Sequence, residues 1–294
     1  MRRGYTFINL DDCWIHPNRT ADGQLQPDPN RFPAGIEELT GWLHERHFKF
    51  GLCTPPRPPS PSSATLCAPA SAPPDCLLRA ADTSGGFGTC SNGGNDPGDS
   101  PGIDRQNATI PGDWEHYYQD ARTIAGWNVD YLKMDWCVST NPETHFKLDQ
   151  ENITTFMHHA LNASGRQIWF NFHCGRVTGD IPSWCPAAGD SYRVGPDHHD
   201  FWPNTLDAIT ILKHGNSWRT SGPSTNRTAW NDPDFLMTGG AGCDKRVEGG
   251  GLRCPGQTPT EYKTEMSLWS MAAAPLLVST DVRKLTPLMA EILL

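Results

Sequence analysis

No run of lysine or arginine exceeds two residues, and the formal net charge is −9. Binding to nucleic acid needs a basic footprint that neutralises phosphates, so that class of partner is set aside. No apolar stretch approaches the ~20 residues a membrane-spanning helix requires, which leaves no membrane reading. A Gly-rich phosphate turn does not follow the first strand-like segment, which argues against an open dinucleotide-binding sheet. Cysteine and histidine nowhere fall at metal-ligand spacing. The stretch Asp197-His198-His199-Asp200 invites a metal reading, but adjacent histidines rarely converge on one ion. Neither a metal nor a cofactor is expected.

What is present is aromatic and cysteine-rich. Eleven Trp and six Tyr provide faces of the kind sugar clefts stack on, although most of them read as core. Ten Cys and five Asn-x-Ser/Thr sequons, at Asn18, Asn107, Asn152, Asn162 and Asn226, fit a secreted or lysosomal/vacuolar protein. Met1-Arg2-Arg3 runs straight into a strand without a signal peptide, so the N-terminus is expected to be incomplete. At 294 residues the chain is long enough for one large barrel domain spanning 1–294.

The hydrophobic pattern alternates between two periods. Strand-like runs occur at Tyr5–Leu10, Phe48–Leu52, Val129–Met134, Gln167–Phe172, Ser191–Gly195, Thr228–Trp230 and Pro275–Ser279. Between them, 36–46, 114–127, 151–161, 202–212 and 260–272 repeat their apolar residues at helical spacing. Such alternation predicts a parallel sheet with helices outside, and the count favours a (β/α)8 TIM barrel. Most of the strands finish in acids, among them Asp11-Asp12, Asp135, Asp197 and Asp234. In barrel enzymes that end of the strand carries the chemistry.

Carboxylates gathered on one rim suit glycoside hydrolysis, which needs one ionised carboxylate and one carboxylic acid that donates a proton. Lys133 lies two residues before Asp135 and shares its side of the strand, so its ammonium can keep Asp135 charged or bind a sugar hydroxyl. Plainer readings stand beside these. Asp135 can be a helix N-cap, and Asp11-Asp12 can cap the next element or form salt bridges. Asp130 is expected to pair within the barrel wall, and Asp232 to pin the loop beside Pro233.

Several ordered motifs carry a resemblance. They are Asn9-Leu10-Asp11-Asp12-Cys13-Trp14, Tyr131-Leu132-Lys133-Met134-Asp135-Trp136-Cys137, Arg193-x-x-x-Asp197 and Trp230-Asn231-Asp232-Pro233-Asp234. With Arg31-Phe32-Pro33-x-Gly35-Ile36 and Ser267 to Leu276, they resemble glycoside hydrolase family 27, the α-galactosidases and α-N-acetylgalactosaminidases of the melibiase clan. The resemblance implies Asp135 as nucleophile and Asp197 as acid/base of a retaining hydrolase that releases terminal α-linked galactose. It implies Asp11, Asp12, Lys133, Arg193 and Asp234 as sugar contacts. The two catalytic carboxyls should then lie ~5–5.5 Å apart. It also implies a Cys90–Cys137 disulfide near the nucleophile, a Cys174–Cys185 disulfide closing the loop after the fifth barrel strand, and a thiol at Cys13. Cys243 and Cys254 can pair. Expected partners are α-galactoside oligosaccharides or glycoconjugates, and a homodimer is an allowed assembly.

The sequence departs from the family pattern in four places. It begins at what should be barrel strand 2, so the expected barrel lacks its first βα unit, and it stops before the family's C-terminal β-sandwich. Residues 55–83, rich in Pro and Ser at their start, read as a disordered insertion, and a retained intron would account for it. Cys53 stands where relatives carry a pocket Tyr. His173-Cys174-Gly175 stands where relatives carry Cys-Glu-Trp, a region that reads the sugar's C2 substituent. The α-N-acetylgalactosaminidase activity is therefore an alternative, as is a non-catalytic galactose-binding remnant.

Overall fold

The computed structural model describes residues 4–11, 14–16, 20–53, 114–134, 150–174, 181–214, 229–238 and 256–294. The predicted insertion at 55–83 lies outside them. The elements run β1 (Phe7–Leu10), α1 (Gly35–Glu45), β2 (Lys49–Cys53), α2 (Trp114–Gly126), β3 (Tyr131–Met134), α3 (Gln150–Ala163), β4 (Trp169–His173), β5 (Ser191–Arg193), α4 (Trp202–His214), β6 (Trp230–Asp232), α5 (Pro259–Met271) and α6 (Pro287–Leu293). This is the β/α repeat of the expected barrel class. The chain divides into two compact units, Met1–Phe172 and His173–Leu294.

In the first unit β1, β2, β3 and β4 neighbour one another in chain order and pair in parallel, as in Leu52↔Leu132 and Leu132↔Phe170. Phe50, Leu52, Leu132, Phe170 and Phe172 are fully buried, as strands covered on both faces should be. Gly51 is needed for close approach: a Cβ there would collide with the Asn9 side chain and come within 2.8 Å of the Tyr131 ring. Asp130 does pair within the wall. Its carboxylate accepts from Arg166 (2.7 Å), His44 Nε2 (2.7 Å) and the Phe50 amide (2.9 Å), so one residue ties α1, β2 and the turn before β4 together.

In the second unit β5 and β6 are parallel, with Ser191↔Trp230 and Arg193↔Asp232 in register. Helix α5 starts on a capping box in which Thr258 and Glu261 exchange side-chain and backbone hydrogen bonds, with Pro259 in its first turn. The seventh predicted strand, 275–279, is corrected to a single parallel bridge, Leu236↔Val278, held by Leu236 N–H to Leu277 O (2.7 Å) and Ser279 N–H to Leu236 O (3.1 Å). The cause is local. Pro275 has no amide to donate. Across from it, Pro233 and Asp234, whose φ is +83°, end the extended chain that starts at Trp230. The short helix α6 was not among the periodic segments. Thr286, which caps it, and Pro287 in its first turn were its readable signal.

Candidate active site

In the first unit Asp11 follows β1 directly, and Lys133 lies near the C-terminal end of β3. Their side chains meet, Lys133 Nζ donating to Asp11 Oδ2 at 3.0 Å. Lys133 is only 7% exposed, and a desolvated ammonium needs such an anion beside it. Trp14 anchors the segment after β1 by donating its indole N–H to the Cys53 carbonyl (2.9 Å) at the end of β2. Two predicted residues of this unit, Asp12 and the nucleophile Asp135, lie outside the described residues, as do Cys13, Cys90, Cys137, Cys243 and Cys254.

In the second unit the predicted residues Arg193, Asp197 and Asp234 converge. Arg193 closes β5 and is 2% exposed. Its guanidinium NH2 reaches Asp234 Oδ2 (2.9 Å), Asp197 Oδ1 (3.2 Å) and the Gly195 carbonyl (3.3 Å). Asp234 is buried and held from three sides. Its carboxylate also accepts the His198 amide (2.9 Å), its own amide donates to Asp232 Oδ1 (2.8 Å), and its carbonyl accepts from Trp269 Nε1 (2.9 Å). Asp232 thus pins its loop as expected. Asp197 differs from its neighbour in keeping 29% of its side chain exposed. It borders a small hollow lined also by Val194, Gly195, Pro196, His198, Asn204, Ala208, Ile211 and Pro233. Asn204 on α4 fastens this loop, accepting from the His199 amide (2.6 Å) and donating to the Asp197 carbonyl (3.4 Å). The disulfide Cys174–Cys185 is present, with Cα atoms 6.3 Å apart.

Behind the Arg193 cluster lies a buried polar layer that sequence reasoning missed. His198 donates Nδ1–H to the Phe235 carbonyl (2.7 Å), meets the Thr205 hydroxyl through Nε2 (3.0 Å), and tilts over Trp269 at 5.1 Å. Glu265 on α5 has no exposed surface; its Oε1 accepts the Met237 amide (3.1 Å) and lies 3.5 Å from His198 Nδ1. Burial pushes the Glu265 carboxyl up to about 8 and the His198 imidazole down to about 4. Asp200 is raised by burial as well, against a hydrogen bond from the Tyr262 hydroxyl, shared between its two oxygens (2.8 and 2.9 Å), and one from the Gly256 amide (3.1 Å). The position of Glu265 between Tyr262 and Trp269, the other buried residues of α5, was the available signal for this layer. Its meaning depended on a partner 67 residues earlier in the chain, which no local pattern reveals. Among the described residues no group of three potential ligands is placed to hold a metal ion.

Comparison with known proteins bears on both halves of the chain. The family model described as Alpha galactosidase A, a melibiase family, matches residues 1–55 and 102–294. An alpha-galactosidase of Cyamopsis tetragonoloba is 30% identical over 280 residues, which are 95% of this chain and 51% of that protein. An alpha-N-acetylgalactosaminidase of Homo sapiens is 30% identical over 296 residues, 99% of this chain and 55% of the other. The structure of the Saccharomyces cerevisiae alpha-galactosidase with raffinose superposes with a TM-score of 0.63 at 22% identity, covering 99% of this chain and 54% of that one. The fold is accordingly that of these (β/α)8 enzymes, and the chain spans about half the length of the curated relatives it matches. With the family model spanning both the Lys133–Asp11 pair and the Arg193 cluster, this chain belongs to the alpha-galactosidase A family, the melibiases of glycoside hydrolase family 27.

Proposed function

We propose that the protein is a retaining glycosidase that releases terminal α-linked galactose. The observation that carries this reading is Arg193, which holds together a buried carboxylate, Asp234, and a part-exposed one, Asp197, that borders a hollow. Two acids in such different surroundings can take different roles. Asp234 is fixed as a hydrogen-bond acceptor for a sugar hydroxyl. Asp197 is accessible to a glycosidic oxygen and serves as the acid/base. Asp135, which follows β3 in sequence, attacks the anomeric carbon as Asp197 protonates the departing oxygen. Asp197 then takes a proton from the water that releases galactose. The Lys133–Asp11 pair, with Asp12, supplies further sugar contacts. This chemistry asks for no cofactor.

The yeast relative crystallised with raffinose supports an α-galactosyl oligosaccharide as the substrate class. The α-N-acetylgalactosaminidase activity is a second reading, favoured by relatives of that name at equal identity. Five sequons, of which Asn162 is exposed at the end of α3, support a secretory or lysosomal/vacuolar route. Hydrolysis of aryl α-galactoside and its 2-acetamido analogue, with the anomer of the first product read by NMR, tests the proposal. Activity on the galactoside with an α-anomer first product, abolished in Asp135→Asn and lowered in Asp197→Asn most for leaving groups that need a proton, is the expected result. A β-anomer first product would overturn the retaining step. Binding of galactose without turnover would leave only a sugar-binding protein.

A further inference from the structure

We infer that His198 is the positioning residue of the acid/base, gripping the Asp197–His198 peptide so that the Asp197 carboxyl stays in register with Asp234; this rests on the glycosidase reading above. The geometry is a double clamp within the second unit. The His198 amide donates to Asp234 Oδ2 (2.9 Å), and its ring donates to the carbonyl of the next residue, Phe235 (2.7 Å). One residue therefore ties the Asp197 loop to the 234–235 segment through both its main chain and its side chain. The ring itself has little freedom. Trp269 packs on it at 5.1 Å and holds the Asp234 carbonyl from the other side (2.9 Å). Thr205 meets Nε2 (3.0 Å) and carries the contact on to Gln257 (3.0 Å).

Glu265 is the group the proposed chemistry does not use. It has no exposed surface, and it stands 3.5 Å from Nδ1. A buried acid is costly to keep, and at this site it backs the ring that sets the reacting carboxyl. Facing His198 are Glu265 from α5, Asp234 and Arg193 across the carboxylate pair, and His199 beside it, with Asp200 and Tyr262 beyond Gln257. His198 also lines the hollow beside Asp197, but its amide and both ring nitrogens are taken up by Asp234, Phe235 and Thr205, so it acts through Asp197 rather than on the sugar.

A positioning role has a signature that a purely structural one lacks: the loss follows the leaving group's need for a proton. His198→Phe keeps the packing on Trp269 and deletes both ring hydrogen bonds. Its kcat for an alkyl α-galactoside should fall about 10- to 100-fold, the scale of a displaced acid/base, with KM little changed. Its kcat for a dinitrophenyl α-galactoside, which leaves without help, should fall far less and should rise on adding azide, which replaces the base-assisted water. His198→Asn, which keeps a donor near Nδ1, should recover most of the alkyl activity. Asp197→Asn should show the same pattern more strongly. Equal losses on both substrates, or no loss, with Asp197→Asn behaving as stated, would overturn the role of His198 alone. Inert wild-type protein on both substrates would overturn the glycosidase reading and this inference with it. Should the phenylalanine variant not fold, Thr205→Val removes the Nε2 partner, together with its bond to Gln257, leaves the Nδ1–Phe235 bond in place, and is judged by the same leaving-group comparison.

Discussion

Arg193 shows how much one side chain can settle. It is 2% exposed, and its NH2 group serves Asp197, Asp234 and the Gly195 carbonyl together. A planar fork with a fixed charge suits that task, and a lysine ammonium does not reproduce it. Arg193→Lys should therefore keep the charge and lose the geometry, lowering kcat/KM on an aryl α-galactoside about 100-fold. Arg193→Met should in addition leave the buried Asp234 carboxylate without its cation, at about 3–5 kcal/mol, readable as a shift of the urea midpoint. If the methionine variant unfolds at the wild-type midpoint, the Arg193–Asp234 contact adds nothing to stability. The i, i+4 spacing of Arg193 and Asp197 was legible in the sequence, and so was the structural duty of Asp130 and Asp232. The grip of Arg193 on Asp234 was not, because the two come from the ends of adjacent strands 41 residues apart. The His198–Glu265 contact was hidden for the same reason.

At the level of elements the two hydrophobic periods did most of the work. Six of the seven strand-like runs and all five helical runs form elements within a few residues of their predicted limits, because burial on a fixed face leaves its period in the sequence. The run at 275–279 looked the same and became one bridge. Whether a strand pairs depends on its neighbour's backbone, and here the neighbour is turned at Asp234. Sequence alone also could not say why position 51 is glycine. The β1–β2–β3 registers place it between Asn9 and Tyr131. Asn9 is exposed and can swing aside, whereas the Tyr131 ring is buried. Gly51→Ala should thus destabilise the first unit by about 1–3 kcal/mol through overpacking. Adding Asn9→Ala should recover little of the loss in a thermal melt. Full recovery would place the strain on Asn9 and not on the ring.

For the molecule as a whole, the pair in the second unit predicts an acid-side stability plateau. Burial lowers His198 from 6.5 to about 4 and raises Glu265 from 4.5 to about 8. Folded, the pair holds one titratable proton between those limits. Unfolded, it holds one proton between the two ordinary values, so between pH 4.5 and 6.5 the pair adds no slope. Above 6.5 the unfolded chain holds fewer protons than the folded one, and stability falls as pH rises. At about 1.4 kcal/mol per unit, the loss by about pH 8 is roughly 2 kcal/mol. Asp200, also raised by burial, lowers stability in the same direction as pH rises, but from its ordinary value of 3.8 upward, and so superposes a slope on the pair's plateau. Glu265→Gln isolates the carboxyl. Its raised value is a cost that is nil below pH 4.5 and complete above about 8. The variant and the wild type should therefore unfold at the same urea concentration near pH 4.5. The variant should gain about 1.4 kcal/mol for each pH unit up to about 8. Parallel stability curves would show that Glu265 is already ionised in the folded state, and that the layer behind Asp197 is a true ion pair with His198. A widening gap would mean that the fold keeps a destabilising acid in place, which mutation readily removes unless function requires it.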